Sequence, residues 1–165
     1  MSNEKEEKEK VLFTGLGSTP EPVIEAISQE NYKEVFIFCS EYQMEHISEK
    51  TNHSQNNEDV IRESVAGDKI NLSFITCDVF TPENIFDIIF DVIQEKISEE
   101  KSIIINYSAG SAPVRLVLTL ISLYGSKKYE DIDLKYIINY EDLNVSSSHL
   151  NEYKSIINKL KRKDL

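Results

Sequence analysis

The chain has 165 residues, 40% of them apolar and 28% charged, which is enough for one ordinary domain with a usable core. Its net charge of −11 argues against broad, sequence-independent binding of DNA or RNA, which needs many basic side chains to displace counterions. No stretch approaches the roughly eighteen apolar residues of a membrane span, and the charged start Met1–Lys10 lacks the apolar centre of a signal peptide, so a soluble cytoplasmic protein with a solvated lead-in over residues 1–9 is expected.

Val11-Leu12-Phe13-Thr14 reads as a buried strand stopped by Gly15. The loop Gly15-Leu16-Gly17-Ser18-Thr19 leads to a helix with Pro22 in its first turn, Thr19 or Ser18 as its cap, and Val23, Ile24, Ala26 and Ile27 on its apolar face. Val35–Cys39 is a second strand. Helices are expected near Tyr42–Lys50 and Glu58–Ala66, separated by a mobile polar loop, Thr51–Asn57. Ile70–Cys77 is a third strand. A turn over Asp78–Phe80 follows, then a long helix with Thr81 as cap and Pro82 at its first position, whose inner face carries Ile85, Phe86, Ile88, Ile89, Val92, Ile93 and Ile97.

Ser102–Tyr107 is a fourth strand. The loop Ser108-Ala109-Gly110-Ser111-Ala112 follows it, and Pro113 then opens a very apolar helix that Gly125 is expected to stop. That helix is either fully buried or also a contact between two copies of the chain. Leu134–Tyr140 is a fifth strand, and residues 146–165 form an amphipathic helix with a basic C-terminal end. Strands that are apolar on both faces and alternate with helices predict a doubly wound, mostly parallel, Rossmann-like α/β sheet over residues 10–145, with strand order 3-2-1-4-5 and helices on both faces.

In such sheets ligands bind beyond the carboxyl ends of the strands, where the strand order reverses. Here that point lies between strands one and four, flanked by the two small-residue loops, which hold three of the chain's five glycines. Glycine permits close approach of backbone to ligand, and each loop feeds a helix N-terminus whose N–H groups suit an anion. Taken separately, either loop is also readable as an ordinary tight turn. The Rossmann dinucleotide spacing fails at Pro20, there is no Gly-Lys-Ser/Thr of a P-loop, and no Ser sits in a GxSxG elbow. The two cysteines, Cys39 and Cys77, read as buried thiols, and the histidines lack ligand spacing, so neither a metal nor an organic cofactor is expected.

The segments Leu12–Val23 and Ile103–Val114 resemble those of the CARF (CRISPR-associated Rossmann fold) domain, and the likeness extends over Val11–Tyr140. The resemblance implies a homodimer that binds a cyclic oligoadenylate messenger of type III CRISPR defence on its two-fold axis, a tetra- rather than a hexa-adenylate ring, with contacts from Gly15, Leu16, Gly17, Ser18, Thr19, Ser108, Ala109, Gly110, Ser111 and Ala112. Arg115 either reaches a phosphate or lies on the helix surface. The absence of an effector segment suggests a ring nuclease, cleaving without metal through the ribose 2′-hydroxyl and using Ser18 and Ser111. Many members carry Lys where Ala112 stands, and an acidic residue where Asn106 stands, so slow cleavage is expected. Two alternatives stay open: a non-catalytic sensor or sponge for the messenger, and an α/β protein for another nucleotide or phosphometabolite.

Overall fold

The computed structural model describes residues 8–47, 54–97, 101–128 and 132–135. The chain runs β1 (Glu9–Gly15), α1 (Glu21–Ser28), β2 (Tyr32–Cys39), α2 (Glu41–Glu45), α3 (Asn57–Ser64), β3 (Asn71–Thr76), α4 (Pro82–Lys96), β4 (Lys101–Asn106), α5 (Ala112–Lys128) and β5 (Ile132–Lys135). The strands form one sheet in the order β3-β2-β1-β4-β5, and all four pairings are parallel. The sheet is doubly wound around β1, as the apolar patterning implied.

Strand residues alternate between two faces, and each face has its own core. Val11 and Phe13 of β1 join Phe36, Phe38, Ile103 and Ile105 under α4 and α5, where Ile85, Ile89, Ile93, Val114 and Leu118 close the layer. Phe13 stacks on Phe36 at a centroid distance of 5.1 Å. On the other face Leu12, Val35, Ile37 and Ile104 pack beneath Val23, Ala26 and Ile27 of α1 and Ile61 of α3. Val11, Leu12 and Phe13 are fully inaccessible to solvent. Burying each such side chain contributes about 1.5–3 kcal/mol, so the central strand is the most strongly held part of the sheet.

Several elements differ from the sequence reading. Glu9 and Lys10 belong to β1, which extends beyond its apolar run because it pairs with β4 from Glu9 onward. The N-cap of α1 is Pro20, with no side-chain cap from Ser18 or Thr19. Helix α2 ends at Glu45 because His46 is extended, and the backbone carbonyl of His46 accepts the Asn57 amide at 3.0 Å. Asn56 and Asn57 are not part of a polar loop. Asn56 caps α3 through the Asp59 amide (2.8 Å), and Asn57 is buried. In α4 the inward row is Ile85, Ile89 and Ile93, four residues apart. Phe86 falls in the next row, where it is 43% exposed and stacked on Phe90.

Helix α5 continues through Gly125 to Lys128. One glycine costs about 1 kcal/mol in a helix interior, which an established helix absorbs. Leu116 (60% exposed) and Leu120 (47%) lie open on that helix, so it is not a fully buried core helix. Strand β5 begins at Ile132 rather than Leu134, in register with β4 from Ile103↔Ile132 to Asn106↔Lys135. The expected residues 136–140 of that strand, the tail helix 146–165, residues 1–7 of the lead-in, and 48–53 of the second helix and polar loop lie outside the described residues. Among the described residues no helix is long and apolar enough to cross a membrane.

At the amino end of the sheet Glu34 of β2 accepts from Lys96 of α4 and from Lys101 of β4, both at 2.6 Å, tying three elements together. Burial raises the affinity of the Glu34 carboxyl for a proton. The hydrogen bonds and charges of Lys101 and Lys96 outweigh that effect, and hold its pKa below the usual glutamate value. A depressed carboxylate stabilises the fold above its unfolded pKa, and that contribution is lost as pH falls through the folded value. Glu34→Gln is therefore expected to lose about 1–2 kcal/mol at neutral pH and to flatten the acid limb of the stability curve, measured by urea unfolding between pH 7 and pH 3.

Candidate functional site

The parallel pairing of β1 with β4 sets their carboxyl ends side by side. Asn106, at the end of β4, donates from Nδ2 to Thr14 Oγ1 of β1 at 3.0 Å, and both residues are wholly buried. The Asn106 Oδ1 accepts the Ser108 amide (3.0 Å) and the Ser108 hydroxyl (2.6 Å). One amide side chain thus shapes the turn leaving β4 and fastens it to β1. A buried amide is strongly held only when both its ends are satisfied, as here.

Beyond this clasp the two loops touch, backbone to backbone. A Cβ placed on Gly15 would lie 2.7 Å from the Ala109 carbonyl oxygen and 2.8 Å from Gly110 Cα. One placed on Gly110 would lie 2.8 Å from Gly15 Cα, and Gly110 adopts φ +107°, a region side chains rarely enter. Gly17 is less crowded, since its Cβ would stand 3.9 Å from Gly110. The structure therefore brings Gly15, Gly17, Ala109 and Gly110 together at the point where strand order reverses.

The remaining predicted site residues divide. Leu16 and Ala109 are buried, so their side chains belong to the core, and the Leu16 amide is already spent on the Phe38 carbonyl at 3.0 Å. Ser18 is exposed and Thr19 half-buried. The Ser111 hydroxyl is shielded from solvent and has no hydrogen-bond partner among the described residues. Ala112 and Arg115 are exposed on the first turn of α5.

The two helix N-termini are not equivalent. In α5 the Arg115 amide closes on the Ser111 carbonyl at 2.9 Å, which leaves the amides of Ser111, Ala112 and Val114 ahead of the first helical bond. In α1 the first turn holds Pro20 and Pro22, neither of which has an N–H, and the carboxylate of Glu21. Of the two helix ends expected to suit an anion, that of α1 is thus the poorer in free N–H groups.

A further positioning residue was missed in the sequence. Asn57, 1% exposed at the start of α3, donates from Nδ2 to the Gln43 carbonyl (2.8 Å) and to the Ser18 carbonyl (3.3 Å). It pins the first loop to the segment after β2. Nothing in the run Thr51–Asn57 marks it as buried; the only local signal is Asn56 before two acidic residues and Val60-Ile61, an N-cap pattern.

No protein-family model matches the chain, and no curated protein matches it in sequence. Solved structures do match in fold. Csm6 from Enterococcus italicus, bound to cyclic hexa-2′-fluoro-hexa-dAMP, superposes with a TM-score of 0.65 at 11% identity over 94% of this chain. The likeness is one of fold. Can2 from Sulfobacillus thermosulfidooxidans, in complex with cyclic tetra-adenylate, superposes with a TM-score of 0.56 at 10% identity over 78% of this chain. The chain spans only 40% of the Csm6 chain and 32% of the Can2 chain.

Because the loops meet through their backbones, the glycines carry stability as well as shape. Gly15→Ala is expected to cost about 2–3 kcal/mol in urea unfolding, through overlap with Ala109 and Gly110. The same overlap means that Gly110→Val is expected to destabilise the domain as well. Asn57→Asp sets an acceptor against two carbonyl oxygens. It should cost about 2 kcal/mol and speed amide hydrogen exchange at Gly17 and Ser18 while leaving β4 protected.

Proposed function

We propose that the chain binds a cyclic oligoadenylate, of four rather than six units, across the two-fold axis of a homodimer, and cleaves it slowly without a metal ion. The observation that carries this reading is the contact of the Gly15 and Gly110 loops beside the open first turn of α5. It creates a backbone-lined anion site at the carboxyl edge of the sheet. The ring ligands of the two fold neighbours support the choice of messenger, and the proposed role is in type III CRISPR signalling.

A ring with rotational symmetry matches a two-fold dimer, since each contact is then made twice. Leu116 and Leu120 lie one turn apart on α5, whose N-terminus faces the loops, and their exposure fits a surface covered by a second copy. In the cleavage step the ribose 2′-oxygen bonds to the adjacent phosphorus as the bond from phosphorus to the 5′-oxygen breaks. The 2′-hydroxyl loses its proton to solvent, and the 5′-oxygen gains one. Ser18 holds the attacking ribose in line, while the Ser111 hydroxyl and the amides of Ser111 and Ala112 stabilise the charge on phosphorus. Arg115 adds a cation at the rim.

A second reading, binding without cleavage, is favoured by one observation: neither loop carries a side chain suited to act as a general base, and Ala112 supplies no cation. The ring is expected to bind with one ring per two chains in calorimetry. Incubation with excess chelator should yield linear products ending in a 2′,3′-cyclic phosphate, and Ser111→Ala should slow this at least tenfold. Intact ring after many hours, with binding retained, leaves the sensor or sponge reading. No heat with either ring size removes both.

A further inference from the structure

The carboxyl edge of the sheet holds a second hollow, apart from the glycine loops. It has a volume of about 410 Å³ and is lined by Glu41 and Tyr42 at the start of α2, Cys77 and Asp78 after β3, and Asn84 and Ile88 of α4. Its position relative to the loops follows from strand register. Gly15 pairs with Phe38 of β2, and Cys39 pairs with Thr76 of β3. Neighbouring strands stand about 5 Å apart, so the hollow opens roughly 5–10 Å to the side of the Gly15 loop. That is the lateral reach of a nucleotide from its phosphate to its base.

The chemistry of the lining differs from that of the loops. Two carboxylates repel phosphate and favour a ligand that donates hydrogen bonds. Asp78 is held in place by the Thr81 hydroxyl (2.7 Å) and the Phe80 amide (3.0 Å); these hydrogen bonds lower its pKa, so it remains an acceptor. Cys77 is buried and its thiol is pushed up, chiefly by that burial, so it presents a neutral, soft wall beside Ile88. Tyr42 is an aromatic ring left 72% exposed at the rim, resting on His46 at a centroid distance of 5.4 Å. An exposed aromatic beside acceptors that favour an amine suits a purine that carries an exocyclic amino group.

We infer that this hollow receives an adenine base of the bound ring, with Tyr42 stacking on its face and Glu41, Asp78 and Asn84 reading its 6-amino edge. The inference rests on the ring-binding reading above and adds to it the residues that select adenine. The phosphates lie on the Gly15–Gly110 backbone, and the base turns outward over β2 and β3.

The test uses the full chain, in chelator, with cyclic tetra-adenylate in calorimetry and with adenosine and inosine in amide NMR titrations. Tyr42→Ala is expected to weaken ring binding about tenfold or more, and Tyr42→Phe, which keeps the stacking face, to bind like the parent. Adenosine should shift the amides of Tyr42, Asn84 and Ile88, and inosine, whose 6-oxo group cannot donate, should shift them far less. Circular dichroism checks that the exposed substitution leaves the fold intact. If the parent binds the ring and Tyr42→Ala binds it equally well, the base pocket is overturned while ring binding stands. If the parent binds no ring, the ring-binding reading fails. The adenosine titration then decides the pocket alone: shifts confined to it keep an adenine site, and no shifts, or equal shifts with inosine, overturn it.

Discussion

The close approach of Gly15 to Gly110 is the constraint on which the rest of the site depends. It arises because β1 and β4 are parallel neighbours whose ends are clasped by Asn106 and Thr14, so that two loops leave the sheet at one place. No side chain fits between them: a single Cβ on either glycine would meet backbone at 2.7–2.8 Å. The loops are therefore held by packing of the main chain, and the surface they present is built of peptide groups and small hydroxyls. Such a surface suits an anion whose charge is met by N–H dipoles. Such a surface does not depend on the sign of the net charge, which is −11 here.

The edge is polarised along its length. Over β1 and β4 it offers the amides of α5 and the sheltered Ser111 hydroxyl. The prolines and Glu21 of α1 make the other helix end a poor partner for anions. Over β2 and β3 it turns acidic and aromatic, through Glu41, Asp78 and Tyr42. A phosphate and a base demand opposite surroundings, and a ligand with both is oriented by that contrast. Asn57 joins the two regions, because its amide holds the Ser18 carbonyl and the Gln43 carbonyl at once.

Much of this was legible along the chain. The apolar runs around Phe13, Ile37 and Ile104 have no polar face, which implies strands covered on both sides. The glycines at 15, 17 and 110 mark the loops that meet. Residues whose role depends on distant partners were not legible. Asn57 looked like one more polar residue in a loop, and nothing local marked Leu16 and Ala109 as buried. Phe86 sat in an apolar helix pattern, yet the rows four residues apart turn it outward. Gly125 looked like a helix end and is interior.

The amino-acid sequence by itself determined the alternation of strand and helix, the two-sided burial of the sheet and the places where the backbone has no side chain, because periodicity, apolar runs and glycine act locally. Only the tertiary structure decided that a Cβ has no room between the loops and that Asn57 braces Ser18. Those features depend on atoms 39 to 95 residues apart in the chain, from the Ser18–Asn57 hydrogen bond to the approach of Gly15 and Gly110. Their distances are fixed by the strand order, and no local rule of propensity or spacing contains them.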